Sequence, residues 1–186
     1  MTHSHSGGPT ADVSVRIAWA DDAESIAAVQ VRAWPELYAG LLPAEVLPTD
    51  VEEVAAQWRQ ALAKPADARN RVLVALERNR VVGFALTSPA VDPDCDPVAD
   101  GELAEVTLDP AERAKGHGSR LLQAAVDPLA ADRFTRAVTW ANAGDDALRT
   151  FLTDAGWAAD TAHRELDLDG TGTTTVKQVR LHTAIG

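Results

Sequence analysis

The chain has 186 residues, 46% of them hydrophobic and 24% charged, the size and composition of one globular domain rather than two large ones. Its 17 Lys and Arg stand against 28 Asp and Glu, a formal net charge of −11, which disfavours a broad grip on nucleic acid or on an anionic membrane. Any anionic ligand must therefore be held locally. The single cysteine, Cys95, cannot close an internal disulfide, which suits a reducing, cytoplasmic setting, and no apolar stretch approaches the ~20 residues of a membrane helix.

Residues 1–11 carry neither the basic nor the apolar region of a secretory signal and read as a disordered tail before one domain over 12–186. Val13 to Trp19 alternates apolar and polar residues, the period of a strand. Asp21, with Glu24 three residues on, caps a helix over 22–33 that places Ile26, Val29 and Ala33 on one face. Trp34-Pro35 interrupts it. A capping box of Thr49 and Glu52 opens a second helix carrying Val51, Val54, Ala55, Trp58 and Leu62 at helical spacing. Arg71 to Glu77 and Val81 to Thr87 form a hairpin turned at Arg78-Asn79-Arg80. A solvated loop over 91–101 precedes a strand, Glu102 to Leu108, then a helix from Gly116 that ends near Asp127-Pro128. A strand over Phe134 to Trp140 and a helix capped by Asp145 or Asp146 and stopped at Gly156 follow. Two strands, 162–168 and 175–183, turn at Asp169-Gly170 and complete an α/β chain with a mixed sheet.

The most informative passage is Val106 to Leu122, where a strand enters a turn bearing Arg113, Lys115, Gly116 and Gly118 and opens directly onto a helix. The first helical turn leaves backbone N–H groups unpaired at the positive end of the helix dipole, and glycine lets a phosphate approach them. The dipole supplies roughly 0.3–1 kcal/mol, less than several charge-assisted hydrogen bonds at about 1.5–3 kcal/mol each. Arg113 and the N–H groups should therefore act together. A P-loop is excluded because the chain has no Gly-Lys pair, and a Rossmann fingerprint because Leu121 stands where its third glycine belongs.

What remains, Arg113-x-x-Gly116-x-Gly118 at a strand-to-helix junction, resembles the pyrophosphate loop, Gln/Arg-x-x-Gly-x-Gly/Ala, of the GNAT superfamily of N-acetyltransferases. The element order over about 13–183, Glu102-Leu103-x-x-Val106-x-Leu108, and Asn142 followed by Ala147, Phe151 and Gly156-Trp157 extend the resemblance. It implies a mixed, mostly antiparallel central sheet, splayed between its fourth and fifth strands and flanked by about four helices. It also implies acetyl-CoA as acyl donor, bound by Val106, Thr107 and Leu108, by the loop residues Arg113, Ala114, Lys115, Gly116, His117, Gly118 and Ser119, and by Asn142. The acceptor implied is a primary amine of a small molecule or peptide, entering past Trp34 and Tyr38, and the acidic composition favours a cationic one. No metal, nucleic acid or membrane partner is implied, and exposed edge strands at the C-terminal end make a homodimer plausible.

An ammonium must lose a proton before it attacks a thioester, and Glu102 stands at the family position of the general base. Glu105 would face the opposite side of an ideal strand unless a bulge resets the alternation. Many relatives carry Phe-Tyr in the helix after the asparagine, the tyrosine protonating sulfur. Here the pair is Phe151-Leu152, and the general acid is left unassigned. Direct attack in a ternary complex is expected, because Cys95 lies in a loop with no apparent base. The alternative is a non-catalytic acyl-CoA binding or sensing module with a degenerate site. Two acidic runs, at Asp92 and at Glu165, fail as calcium loops because Leu103 and Val176 occupy the last ligand positions.

Overall fold

The computed structural model describes residues 12–186; the tail expected over 1–11 lies outside them. Seven strands form one sheet in the order β1-β2-β3-β4-β5-β7-β6. They are β1 (Val13–Ile17), β2 (Arg71–Glu77), β3 (Arg80–Pro89), β4 (Asp100–Leu108), β5 (Arg136–Asn142), β6 (Ala158–Asp167) and β7 (Thr175–Ala184). Only β4 and β5 run parallel; every other neighbouring pair is antiparallel. The helices are α1 (Ala23–Leu37), α2 (Val51–Ala63), α3 (His117–Ala131) and α4 (Asp146–Asp154). This is the mixed sheet with four flanking helices that the sequence implies.

Alternating side chains along the central strands feed two apolar layers. On one face Ile26 and Val29 of α1 pack against Val74, Leu76, Val81 and Phe84, and Trp58 of α2 meets Phe84 edge-on with ring centroids 5.3 Å apart. On the other, Leu121, Leu122, Ala125 and Leu129 of α3 meet Leu73, Ala75, Ala85, Leu103 and Phe134, continuing to Leu152 of α4 and Trp157. Arg78 and Asn79 both adopt positive φ, 49° and 65°, so the β2–β3 hairpin closes on a two-residue turn whose twist matches the strands.

Several local boundaries differ from those read in the sequence. Asp50, not Thr49, caps α2, its carboxylate accepting the Glu52 and Glu53 N–H groups. Asp22, not Asp21, closes the entry to α1, accepting the Trp19 N–H at 2.6 Å while pairing with Arg16. Helix α1 continues through Pro35 to Leu37 and α3 through Pro128 to Ala131. Each proline falls in the last turns, where the lost N–H disrupts little of the remaining helix. Phe134 is not in β5 but is buried just ahead of it.

Two features of β4 shape everything downstream. Its pairing with β5 covers only Asp100↔Arg136, Gly101↔Ala137 and Glu102↔Val138; beyond that the strands part, and the Thr139 hydroxyl donates to the Leu103 carbonyl at 2.7 Å where they separate. The register with β3 also slips, Leu86 facing Glu105 but Thr87 facing Leu103, so Ala104 is an extra residue, a β-bulge.

At Gly83 of β3 there is no room for a side chain against β4. A Cβ there would lie 2.6 Å from Leu108 Cδ2 and 2.9 Å from the Thr107 carbonyl oxygen. Gly83→Val is therefore expected to cost about 1–3 kcal/mol by overpacking, read as a lowered denaturation midpoint. Unchanged stability would contradict this strand spacing.

Candidate active site

The parting strands open a cleft of about 1180 Å³ lined by β4, the loop and first turn of α3, the end of β5 with the turn after it, α4, the end of α1 with the loop after it, and β7. Val106 to Leu108 line it from β4 and Asn142 to Asp145 from the end of β5, joined by Gly118 and Ser119 of α3, Leu148 and Phe151 of α4, Glu36 and Leu37 of α1, and Val176 and Lys177 of β7. The main chain of β4 is available to this space for a geometric reason. Asp109 donates its N–H back to the Val82 carbonyl at 2.8 Å, which makes Gly83↔Leu108 a non-hydrogen-bonded pair. The N–H and C=O groups of Leu108, and of Val106 two residues earlier, therefore point to the edge that β5 has left.

At the end of this edge the chain turns through Gly116 with φ +84°, the left-handed conformation natural to glycine, directly into α3. Among the described residues no side chain caps α3, whereas Asp50 caps α2 and Asp145 caps α4. The first N–H groups of α3 thus remain open beside Gly118 and Ser119, both of which line the cleft. Of the residues singled out in the sequence, Val106, Thr107, Leu108, Arg113, Ala114, Gly116, Gly118, Ser119 and Asn142 meet here.

Lys115 and His117 do not present their side chains to the cleft. Lys115 Nζ sits 2.7 Å from Glu112 Oε2, and Arg80 holds the other oxygen of that carboxylate at 2.7 Å. The ammonium and the guanidinium keep Glu112 well below the usual carboxylate range. The His117 ring, 2% exposed, turns inward, its Nε2 3.6 Å from Glu77 Oε2, and neither atom has a hydrogen-bond partner among the described residues. Only the backbones of these two residues can serve the turn. Arg113 stays at the rim, paired with Glu36 of α1. Lys177 of β7 also lines the cleft and forms no ion pair among the described residues. Lying 62 positions beyond Lys115, it gave no local signal in the sequence.

A second, smaller space of about 280 Å³ adjoins the first, sharing Leu37, Val106, Thr107, Asn142 and Phe151 with it. Glu102, Trp34 and Tyr38 meet here. Trp34 and Tyr38 pack edge to face, ring centroids 5.3 Å apart. Glu102 is partly buried; burial above all, then the nearby Asp92, pushes its carboxyl above the usual range, against the opposing influence of Arg164 and Arg180. The bulge at Ala104 brings Glu105 to the same face, because Glu105 stands opposite Leu86 and Glu102 opposite Ser88. Glu105 accepts the Thr107 hydroxyl at 2.8 Å, and burial pushes its carboxyl up as well. Burial and Glu105 together push the Tyr38 phenol up, so it stays protonated at neutral pH.

Leu152 is 3% exposed and borders the same space without a polar atom to offer. Cys95 lines neither space; burial pushes its thiol up beside Arg180 and its carboxylates. The acidic run containing Asp92 and Asp94 has a structural task, since both hold Arg180, at 3.2 and 2.7 Å.

Residues 28–157 match the family model of the acetyltransferase (GNAT) family. The chain belongs to that family, and membership implies acyltransferase chemistry. Solved structures share the fold at low identity. YncA of Salmonella typhimurium, solved with its cofactor acetyl-CoA, is 17% identical with a TM-score of 0.67 over 94% of this chain and 95% of its own. The PaiA N-acetyltransferase of Thermoplasma acidophilum, in complex with coenzyme A, is 16% identical with a TM-score of 0.65 over 92% and 98%. The ribosomal-protein-alanine N-acetyltransferase of Brucella melitensis is 19% identical with a TM-score of 0.68 over 92% and 99%. No curated protein matches the chain. No helix among the described residues is long and apolar enough to cross a membrane.

Proposed function

We propose that residues 12–186 act as one N-acetyltransferase domain that moves the acetyl group of acetyl-CoA to a primary amine by direct attack in a ternary complex. The observation that carries this reading is the opening between β4 and β5, which runs into the uncapped N-terminus of α3 within one cleft. A diphosphate suits the open N–H groups around Gly116 to Ser119, and an extended arm suits the free main-chain edge of Val106 and Leu108. Asn142, whose Oδ1 accepts from Gln178 Nε2 at 3.0 Å, borders the arm on the β5 side. The donor, when bound, supplies an activated acetyl thioester.

The chain's own groups then have separable tasks. Glu102 takes a proton from the acceptor ammonium at its carboxylate, directly or through one water, and its raised pKa brings it closer to the operating pH. The Leu108 N–H, facing the open edge, donates to the carbonyl oxygen as negative charge gathers there. Thiolate protonation falls to water, because Leu152 cannot donate. The buried Leu152 is also the observation favouring the second reading, a module that binds acyl-CoA without efficient turnover.

Product mass spectrometry after incubation with acetyl-CoA and a panel of amines separates the two. An amine gaining one acetyl group, with free CoA released in equal amount, is the expected result. CoA binding without any acetylated product would instead favour the binding module.

A further inference from the structure

Among the described residues, the four buried carboxylates, Asp22, Asp100, Asp109 and Glu112, each hold an arginine. Asp92 and Asp160, nearly as deep, share Arg180. Glu102 and Glu105 break this pattern. Both are partly buried, both border the smaller space, and neither takes part in any of the ion pairs found among the described residues; the third carboxylate there, Asp145, is engaged in capping α4, accepting the Leu148 N–H at 3.0 Å. Glu105 has only neutral donors beside it, the Thr107 hydroxyl and the Trp34 indole. The one cation in the wall, Arg164, is already engaged, stacked 4.2 Å from the Trp140 ring, bonded to Gln178 at 2.8 Å and facing Asp92 at 3.8 Å.

A chain that neutralises its other buried acids with its own arginines leaves two carboxylates open in one small space. An unpaired charge taken out of water is costly, and a ligand cation relieves that cost. One carboxylate suffices to deprotonate a single amine. The second is there because the bulge at Ala104 turned Glu105 onto the face of Glu102. With a rise of ~3.3 Å per residue and one residue absorbed by the bulge, their backbone positions lie ~7 Å apart along β4. Trp34 and Tyr38 beside them offer apolar and π surface to a methylene chain and its ammonium ends.

We infer that the acceptor is a dication, a linear aliphatic diamine of a few methylenes, with its reacting amine at Glu102 and its second ammonium held by Glu105. This rests on the reading of the smaller space as the acceptor site. Glu105 is then the residue that determines specificity.

The test compares 1,4-diaminobutane with 1-aminobutane, of equal methylene count, by calorimetric binding to the CoA-saturated protein and by kcat/KM with acetyl-CoA. One additional charge-assisted hydrogen bond corresponds to tenfold to about a hundredfold tighter binding of the diamine, seen mainly in Kd and KM. In Glu105→Gln that ratio should collapse toward one, and Glu105→Asp should restore part of it, which a merely structural role for the side chain would not do. Equal affinities for the two amines in the wild-type protein, or an undiminished ratio in Glu105→Gln, would overturn the inference, as would preference for a peptide amine over both. Diamine binding that depends on Glu105 without any acetylation would uphold the dication site while removing the transferase reading.

Discussion

Glu102→Gln is expected to lower turnover by roughly 10²- to 10⁴-fold while leaving CoA affinity unchanged. The amide keeps the shape of the carboxylate and removes its ability to take a proton, so the loss should fall on kcat/KM for the amine. Glu102 lines the smaller space rather than the donor cleft, which is why donor binding should be spared. Its carboxyl lies above the usual range because of burial and Asp92. The wild-type activity should therefore fall, on lowering the pH, at a higher pH than for an ordinary carboxylate, and this acidic limb should vanish in the variant. Unchanged turnover with an unchanged limb would remove Glu102 from the mechanism and direct attention to Glu105.

The second large effect concerns stability. Arg180 of β7 is 5% exposed and holds Asp160 at 2.6 Å, Asp94 at 2.7 Å and Asp92 at 3.2 Å, tying the loop between β3 and β4 to β6 and β7. Arg180→Met would leave Asp160 with no cation and Asp92 with only the Trp140 indole N–H at 3.0 Å and the more distant Arg164 at 3.8 Å. Removing one member of a buried ion pair costs about 3–5 kcal/mol, and the low end, about 3 kcal/mol, is expected because Asp94 remains 64% exposed. Chemical denaturation at neutral pH checks the size. Arg180 holds Asp94 below the usual carboxylate range, so this part of the wild-type advantage is present above the unfolded pKa, about 3.9, and is lost as the pH falls through the lower folded value. A variant as stable as the wild type at neutral pH would contradict the buried network.

The sequence carried the frame of the molecule because that frame rests on local signals. The β-branched and apolar runs of β2 and β3, the turn at Arg78-Asn79 and the strand-turn-helix passage through Gly116 each specify themselves over a few residues. Errors by one residue, Thr49 for Asp50 at the cap of α2 and Asp21 for Asp22 at the entry to α1, arise where neighbouring side chains have the same hydrogen-bonding chemistry. The bulge at Ala104 left no trace, since neither glycine nor proline marks it, and with it went the placement of Glu105. Lys115 and His117 illustrate the converse. Their types suit a phosphate loop, yet the turn directs their side chains to Glu112 and Glu77, acids that lie on the turn itself and at the distant end of β2. Tertiary pairing of this kind, like that of Arg113 with Glu36, has no periodicity to read.

Calorimetric titration of coenzyme A into the wild-type protein and into Gly118→Val tests the whole scheme most directly. A Cβ on Gly118 would sit between Leu108 and Phe151, in ordinary contact at 3.4 and 3.5 Å from their nearest atoms, and all three residues line the donor cleft, so a valine there would crowd the cleft. One-to-one binding by the wild type, weakened at least tenfold in a variant of equal thermal stability, is the expected result. Equal affinity in both proteins, or no binding by the wild type at millimolar coenzyme A, would show that the uncapped start of α3 does not hold the donor.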